Sequence, residues 1–568
     1  MEMLLQQLVE YRKRLDPIPS AYQKKPVKWN VDLDAHGNLR GITSSVGKED
    51  RNKRGKDHIV PHVLRSSGVA SALLVDRADY VLAVPAPGNE ARTQHCHSEF
   101  VKLVRECATA TQEPDVQRVL SFLESLRGQP PQDLPEDLRP GDLVALTIEG
   151  RWPSDLSSVR TFWADHLLAK GGHYAQCLVC GRRGPIAERH TVKIKGIPGG
   201  QPSGLALVSA NASAFESYGL EASLIAPVCV ECSQSYAIAI NDLLANKNTS
   251  YRAGPVSYIF WTRAPEKQGI FRTLTDANPE DVKVLLASPR SGTPSSVGDS
   301  DRYYALALSA SGGRAVVRDW LEGTVGDAEE HVRTYFRRQH LPGGPKDRSY
   351  FNVYSLAASL VPRQAAGGIQ DIPPATIPAL VRSALRGAPL PSWLVYEAVR
   401  RNKAEQWPSR PRLALLKAAI MSRYPRDYEE ETMSTEDQKQ PAYLCGRLLR
   451  ILEHAQQAAV NPKVTLVSRY YGSASSAPGS VFGVLLRNGQ AHLAKLRTSK
   501  PGIHTRLQRQ LTEVMAGLER WPRTLSLYEQ ALFSLGYYHQ RMQDFAKAEA
   551  RAETVAGEGE PADVTSQQ

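Results

Sequence analysis

Four cysteines carry the clearest chemical signal in this chain. Cys177-Leu178-Val179-Cys180 and Cys229-Val230-Glu231-Cys232 form two C-x-x-C pairs. At that spacing each pair can turn both thiolates toward one point. Two pairs can therefore close a tetrahedral four-sulfur site, for which Zn2+ is the natural ion under reducing conditions. Gly181 follows the first pair and lets the backbone turn its amides toward sulfur. The separation of the pairs exceeds that of a compact zinc ribbon, so a subdomain is expected between them. A site closed by four protein ligands keeps no open position, so the expected role is structural.

A catalytic alternative exists on paper. His97-Ser98-Glu99 with Pro227-Val228-Cys229-Val230-Glu231-Cys232 approaches the H-x-E … P-C-x-x-C arrangement of zinc deaminases. The proline is displaced by one residue, the halves are far apart, and Cys177 and Cys180 would be left without a role. His95-Cys96-His97 falls at the start of a helix whose apolar face is Phe100, Leu103, Val104 and Cys107. No phosphate-binding P-loop, G-x-S-x-G elbow or H-E-x-x-H motif is present. The glycines from Gly196 to Gly204 could cradle a phosphate, although a ligand-free turn is the commoner use of such a cluster. The expectation is a non-catalytic protein.

Charge gives the second signal. Lys and Arg total 70 against 59 Asp and Glu, a formal net charge of +11. Such an excess suits a polyanion, nucleic acid before an anionic membrane surface. Lys48, Arg51, Lys53, Arg54 and Lys56 crowd one polar loop, and Arg65-Ser66-Ser67-Gly68 follows. Lys193, Lys195, Arg252 and Arg263 recur in the middle of the chain. Lys463, Arg469, Arg487, Lys495, Arg497, Lys500, Arg506 and Arg509 come with no acidic residue between them, which suits a face that tracks phosphates. Tyr470 and Tyr471 beside Arg469 offer rings on which bases could stack. The competing reading is a solvated helical face with both tyrosines in the core.

The elements that must position these residues are legible in outline. Leu4, Leu8, Tyr11 and Leu15 mark an opening amphipathic helix. VKWNVDL turns at Asp34–Asn38 into LRGI, a β-hairpin. LLV and YVLAV read as a strand pair, DLVALTIEG as a strand, and SSVRTFWADHLLAK as a helix. A helix (SYAIAINDLLAN) and a strand (VSYIFWT) close the cysteine segment. YYALALSASGGRAVVRDW is a hairpin turning at Ser311-Gly312-Gly313, and the chain beyond about 326 is helix-patterned. The fold class is α+β: a mixed α/β N-terminal region with an inserted zinc-knuckle module, then an all-α C-terminal helical bundle. The expected divisions are 1–171, 172–262, 263–432, 433–555 and a disordered polar tail, 556–568. No apolar run reaches the ~20 residues needed to span a bilayer. The N-terminus lacks the pattern of a signal peptide. An odd count of seven cysteines argues against a disulfide framework, so a reduced, cytoplasmic protein is expected.

Longer blocks carry a resemblance. LLQQLVEY, LDAHGNLRGI and RSSGVASALLVDRADYVL stand near the N-terminus. HTVKIKGIPGGQPSGLALVSANASAFESYG stands at the centre. PAYLCGRLLRILEHAQ, RYYGSASSAPGSVF and LYEQALFSLGYYHQR follow toward the C-terminus. In these blocks, in this order, the chain resembles the large-subunit family of the type I-C CRISPR effector complex, Cascade. The resemblance implies a non-catalytic role in antiviral defence. Such a subunit recognises the PAM in double-stranded DNA, assists duplex opening and R-loop formation, holds the non-target strand and recruits a helicase-nuclease. It also implies partners: guide crRNA, target DNA, the backbone and handle-binding subunits and a small subunit, with no membrane. By position, Arg65, Ser66, Ser67 and Gly68 would contact the PAM, with Lys48, Arg51, Lys53, Arg54 and Lys56 on nearby phosphates. Cysteine pairs are no general mark of that family, so the metal would be a local staple.

One more feature is written in the chain itself. Glu429-Glu430-Glu431-Thr432-Met433 requires purine-rich codons just upstream of an ATG, like a bacterial ribosome-binding site. An internal start at Met433 would release a small subunit, as the resemblance also implies; Met421 is a rival start. The alternatives in other classes are a free-standing zinc-stabilised DNA-binding protein and a zinc-dependent hydrolase or deaminase.

Overall fold

Asp34 shows how local chemistry sets the first elements. Its Oδ1 accepts from the backbone amides of His36 and Asn38, each at 2.8 Å. That turn closes the expected hairpin. In the computed structural model, which describes residues 2–15, 18–19, 21–47, 54–63, 65, 68–169, 173–210, 212–263, 269–278, 280–283, 301–343, 347–362, 371–423 and 438–557, the chain forms two units. One comprises Met1–Lys195 and Gln201–Asp242, the other Gly196–Gly200 and Leu243–Gln568.

The first unit opens with α1 (Glu2–Arg12), β1 (Tyr22–Val27), β2 (Trp29–Leu33), β3 (Leu39–Ser44), β4 (Lys56–Pro61) and β5 (Val75–Arg77). It continues with α2 (Ala78–Val81), α3 (Glu90–Thr111), α4 (Pro114–Ser125), β6 (Leu143–Ile148), α5 (Ser157–Ala169), β7 (Tyr174–Gln176) and β8 (Arg183–Pro185). Helix α6 (Val230–Ala245) begins here and runs on into the second unit. The main sheet has the order β3-β2-β6-β5, with β2 and β6 parallel and the other pairs antiparallel. Strand β6 is buried almost throughout, as a central strand covered on both faces should be. Phe100, Leu103, Val104 and Cys107 of α3 pack into that core, with His95, Cys96 and His97 earlier on the same helix. Apart from the sheet, β1 and β4 form an antiparallel ribbon in the register Lys25↔His58 and Tyr22↔Pro61.

The expected strand pair at LLV and YVLAV is corrected. Only β5 is a strand, and Ala78–Val81 turns as a short helix, with the Leu82 amide donating to the Ala78 carbonyl. Every residue from Leu73 to Val84 except Arg77 is buried, so no alternation separated strand from helix.

The second unit starts with β9 (Ser250–Ala253), β10 (Val256–Thr262), α7 (Gly269–Asp276), β11 (Arg302–Ser311) and β12 (Arg314–Thr324). The sheet is an antiparallel meander, β12-β11-β10-β9, and the β11–β12 hairpin closes on Ser311↔Arg314 as its glycines require. The helices are α8 (Val325–Gln339), α9 (Val353–Ala358), α10 (Thr376–Arg386), α11 (Ser392–Glu405), α12 (Arg410–Arg423), α13 (Pro441–Val460), α14 (Leu466–Ala474), α15 (Pro478–Ser499), α16 (Pro501–Ala516) and α17 (Leu527–Gly557). Thr324 caps α8 through Oγ1, which accepts from the Asp327 amide. A continuous apolar core joins this sheet, α8 to α12 and the bundle α13–α17. No helix among the described residues is long and apolar enough to cross a membrane. Met433 with Glu429–Glu431, and the tail from 558, lie outside the described residues.

Candidate metal centre and nucleic-acid interface

The first cysteine pair sits in the turn between β7 and β8. Gly181 takes a φ of +71°, and its amide donates to the Cys177 carbonyl at 2.9 Å. The second pair straddles the start of α6. Backbone bonds from Leu178 to Pro227 (2.9 Å) and from Ala187 to Val228 (3.0 Å) hold the two segments together. All four Sγ atoms lie within 4.8 Å of one another, and Cys180 Sγ is 3.9 Å from Cys229 Sγ. Sulfurs on a tetrahedral Zn2+ at ~2.3 Å stand about 3.8 Å apart, so the donor set fits. The amides of Val179 and Cys229 point at Cys177 Sγ, at 3.4 and 3.3 Å, as they would at a thiolate. A hydrogen bond from Cys232 holds the Cys229 thiol down to about 5, while Cys232 is pushed up. By the proximity of their sulfurs, the four residues could hold a metal ion. Such an ion would cross-link the β7–β8 turn to α6. His97 is not part of this group; its Nδ1 lies 2.9 Å from the Tyr80 carbonyl oxygen.

A second constellation was not legible in the sequence. Lys25 on β1 places Nζ 3.1 Å from Nδ1 of His62, the residue after β4. The other side of the imidazole bonds the backbone of Thr191. Burial, then the Lys25 charge, hold His62 down to about 4, so the ring is neutral and accepts from the ammonium. Burial and the charge of Arg65 also lower Lys25. The charges of Arg65 and Lys195 bear on both Lys25 and His62. Two residues singled out separately in the sequence are thus brought to one place. Asn241 of α6 fixes the second of them: its Oδ1 accepts from the Lys195 amide and its Nδ2 donates to the Lys193 carbonyl, both at 2.9 Å.

Arg65 itself is anchored. Its guanidinium donates to the buried carboxylate of Asp76 and to the Ala70 carbonyl, and it lies 4.3 Å over the Tyr80 ring. Asp76 is further fixed by the amides of Ala72 and Arg77, each at 2.7 Å. Arg65 therefore shapes the loop that follows it. In that loop Gly68 has a φ of +87° and open space around it, so conformation and not crowding calls for glycine. Ser66 and Ser67 lie outside the described residues, as do Lys48, Arg51 and Lys53. Arg54 is exposed, and exposed Lys56 opens β4. Between them Gly55 is held so tightly that a Cβ would stand 2.2 Å from the Val27 carbonyl oxygen.

In the second unit Arg469 lies on α14, Arg487, Lys495 and Arg497 on α15, and Arg506 and Arg509 on α16. Lys463 precedes α14 and Lys500 joins α15 to α16. All are exposed except half-buried Arg506, and among the described residues no carboxylate pairs with any of them. The expectation for Tyr471 is corrected: it is fully buried, with its hydroxyl 2.8 Å from Ser534 Oγ, and has no face free for a base. Tyr470 is half-buried against the same core. Arg252 and Arg263 are exposed at β9 and just after β10. The central glycines form turns, with Gly196, Gly199 and Gly204 at positive φ.

No curated protein matches this chain. A family model, that of the CRISPR-associated protein Cas_Csd1, matches residues 6–545. That span runs from α1 to α17 and takes in the thiolate cluster and every basic residue discussed above. The chain belongs to the CRISPR-associated Cas_Csd1 family.

Proposed function

We propose that this chain is the non-catalytic large subunit of a type I-C CRISPR effector complex. In this role it recognises the PAM in double-stranded DNA, assists duplex opening and R-loop formation, holds the non-target strand and recruits a helicase-nuclease. Guide pairing carries the sequence information, so the protein requires few base contacts and many phosphate contacts. The observation that carries the reading is the family match across residues 6–545. The convergence of Lys25, Arg65 and Lys195 beside the Arg65–Gly68 segment supports it. The thiolate cluster serves as a zinc staple.

Purification from cells expressing the whole system tests the assembly. Backbone subunits and a repeat-derived RNA should accompany the chain; DNA alone would favour a free-standing zinc-stabilised DNA-binding protein. Within the assembled complex, Ser67→Tyr should abolish PAM-dependent duplex binding while leaving assembly intact, and unchanged binding would discard that contact. The same preparations test internal initiation. Intact mass analysis should find a C-terminal fragment beginning at Met433, and silencing that codon should remove it.

A further inference from the structure

Three segments distant in sequence converge in the first unit on one small region. The β1–β4 ribbon brings Lys25 and His62, the anchored loop brings Arg65, and the strand-like stretch before Gly196 brings Lys195. The convergence is built. The His62 amide donates to the Ala21 carbonyl at 2.9 Å, and the Ala21 amide donates to Gln234 Oε1 at 3.0 Å. Gln234 Nε2 reaches Thr191 Oγ1 at 3.3 Å, and the Thr191 backbone holds the His62 ring. The Lys195 backbone is fixed in turn by Asn241.

The charge in this region is not balanced from within. Among the described residues neither Lys25 nor Lys195 pairs with a carboxylate. The carboxylate whose charge reaches Lys25, that of Asp76, is already committed to Arg65. Holding an ammonium among like charges costs free energy unless an anion joins it. The neighbouring Lys24 is different: it is exposed and faces Asp57 at 4.0 Å.

The geometry points to a seat for one phosphodiester group, formed by Lys25 and Lys195 beside the Arg65 loop, with His62 as the positioning residue that aims the Lys25 ammonium. The inference rests on the nucleic-acid role proposed above and names residues for it. A neutral imidazole suits this task. It accepts from Lys25 on Nδ1 while its other nitrogen is tied to Thr191, so it fixes the cation without adding charge. The phosphate could come from a DNA duplex or from RNA; the chemistry of the seat is the same.

Salt dependence of binding separates a phosphate seat from a structural role. Removing the cation that neutralises one phosphate lowers the slope of log affinity against log salt by about 0.9 for duplex DNA and by about 0.7 for a single strand. The full chain would be titrated with a short DNA duplex and with a single-stranded RNA of equal length. Lys25→Met and Lys195→Met should each lower the slope by about that amount, while Lys25→Arg and the control Lys24→Met should not. His62→Leu should weaken binding as Lys25→Met does. His62→Gln, which can still accept from Lys25 and donate to Thr191, should restore it; a merely structural histidine would affect melting and leave the slope alone. A Lys25→Met slope equal to wild type on both ligands overturns the seat, as does an equal effect from Lys24→Met or no binding of either ligand by the wild type. An effect confined to RNA keeps the seat and assigns it to RNA in place of the duplex. PAM-dependent duplex binding that survives Lys25→Met, with the RNA slope also unaltered, removes the seat and keeps the duplex-reading role.

Discussion

Cys180 Sγ lies 3.9 Å from Cys229 Sγ although 49 residues separate them. That distance is close to the edge of a zinc–thiolate tetrahedron. The purified protein should therefore contain about one zinc per chain by metal analysis. Chelation, or Cys180→Ser, should lower the melting temperature of the first unit and expose four thiols to alkylation. A metal-free protein with all four thiols reactive while folded would end this assignment.

Glu405 on α11 receives two guanidinium groups, Arg401 at 2.7 Å and Arg412 at 2.6 Å. Burial alone would raise this carboxyl, but the two arginines outweigh it and hold it at about 2, against an ordinary 4.5. A depressed carboxylate stabilises the fold fully above its unfolded value and loses that contribution as pH falls through its folded value. Stability should therefore fall between about pH 4.5 and 2, measurable as acid unfolding in denaturant. Glu405→Gln should be less stable than wild type at pH 7 and should flatten this part of the acid profile.

Helices α13 and α17 cross at two glycines. A Cβ on Gly446 would stand 2.0 Å from the Phe533 carbonyl oxygen, and one on Gly536 would stand 2.1 Å from that of Tyr443. Both obstacles are backbone, so side-chain motion cannot relieve them. Gly446→Ala and Gly536→Ala should each cost about 1–3 kcal/mol, or more where the helices must separate. Urea unfolding would measure this. A neutral Gly446→Ala would mean that the helices separate freely.

Arg487, Lys495, Arg497 and Arg509 on α15 and α16 are exposed, and among the described residues no carboxylate pairs with them. Replacing these four with alanine should leave stability within about 0.5 kcal/mol per site. Affinity for single-stranded DNA should fall, with the salt slope dropping by about 0.7 for each phosphate no longer neutralised. An unchanged slope in the quadruple variant would reduce this face to solvated surface.

Much of the chain was legible before folding was considered, and for a common reason. The C-x-x-C pairs, the Asp34 turn, the Ser311-Gly312-Gly313 hairpin and the apolar stripe of α3 depend on spacing over a few residues, where backbone geometry leaves little choice. Family membership was legible too, because long blocks recur in order. The acid-free stretch that carries α14 to α16 is a plain feature of composition.

What only tertiary structure decided involves pairing across distance. Lys25 looks like any surface lysine until β1 pairs with β4 and brings it to His62. Lys195 joins them only because Asn241 of α6 fixes the stretch before Gly196 and the Thr191 backbone bonds the His62 ring. Tyr471 looks available to a base until α14 packs and seals it against Ser534. Leu73 to Val84 looks like strand on both sides of Arg77 because a fully buried run has no polar face to set its period. Local spacing fixes which groups can act together within a turn or a strand. Which distant groups meet depends on sheet pairing and core closure, and these depend on the whole chain at once.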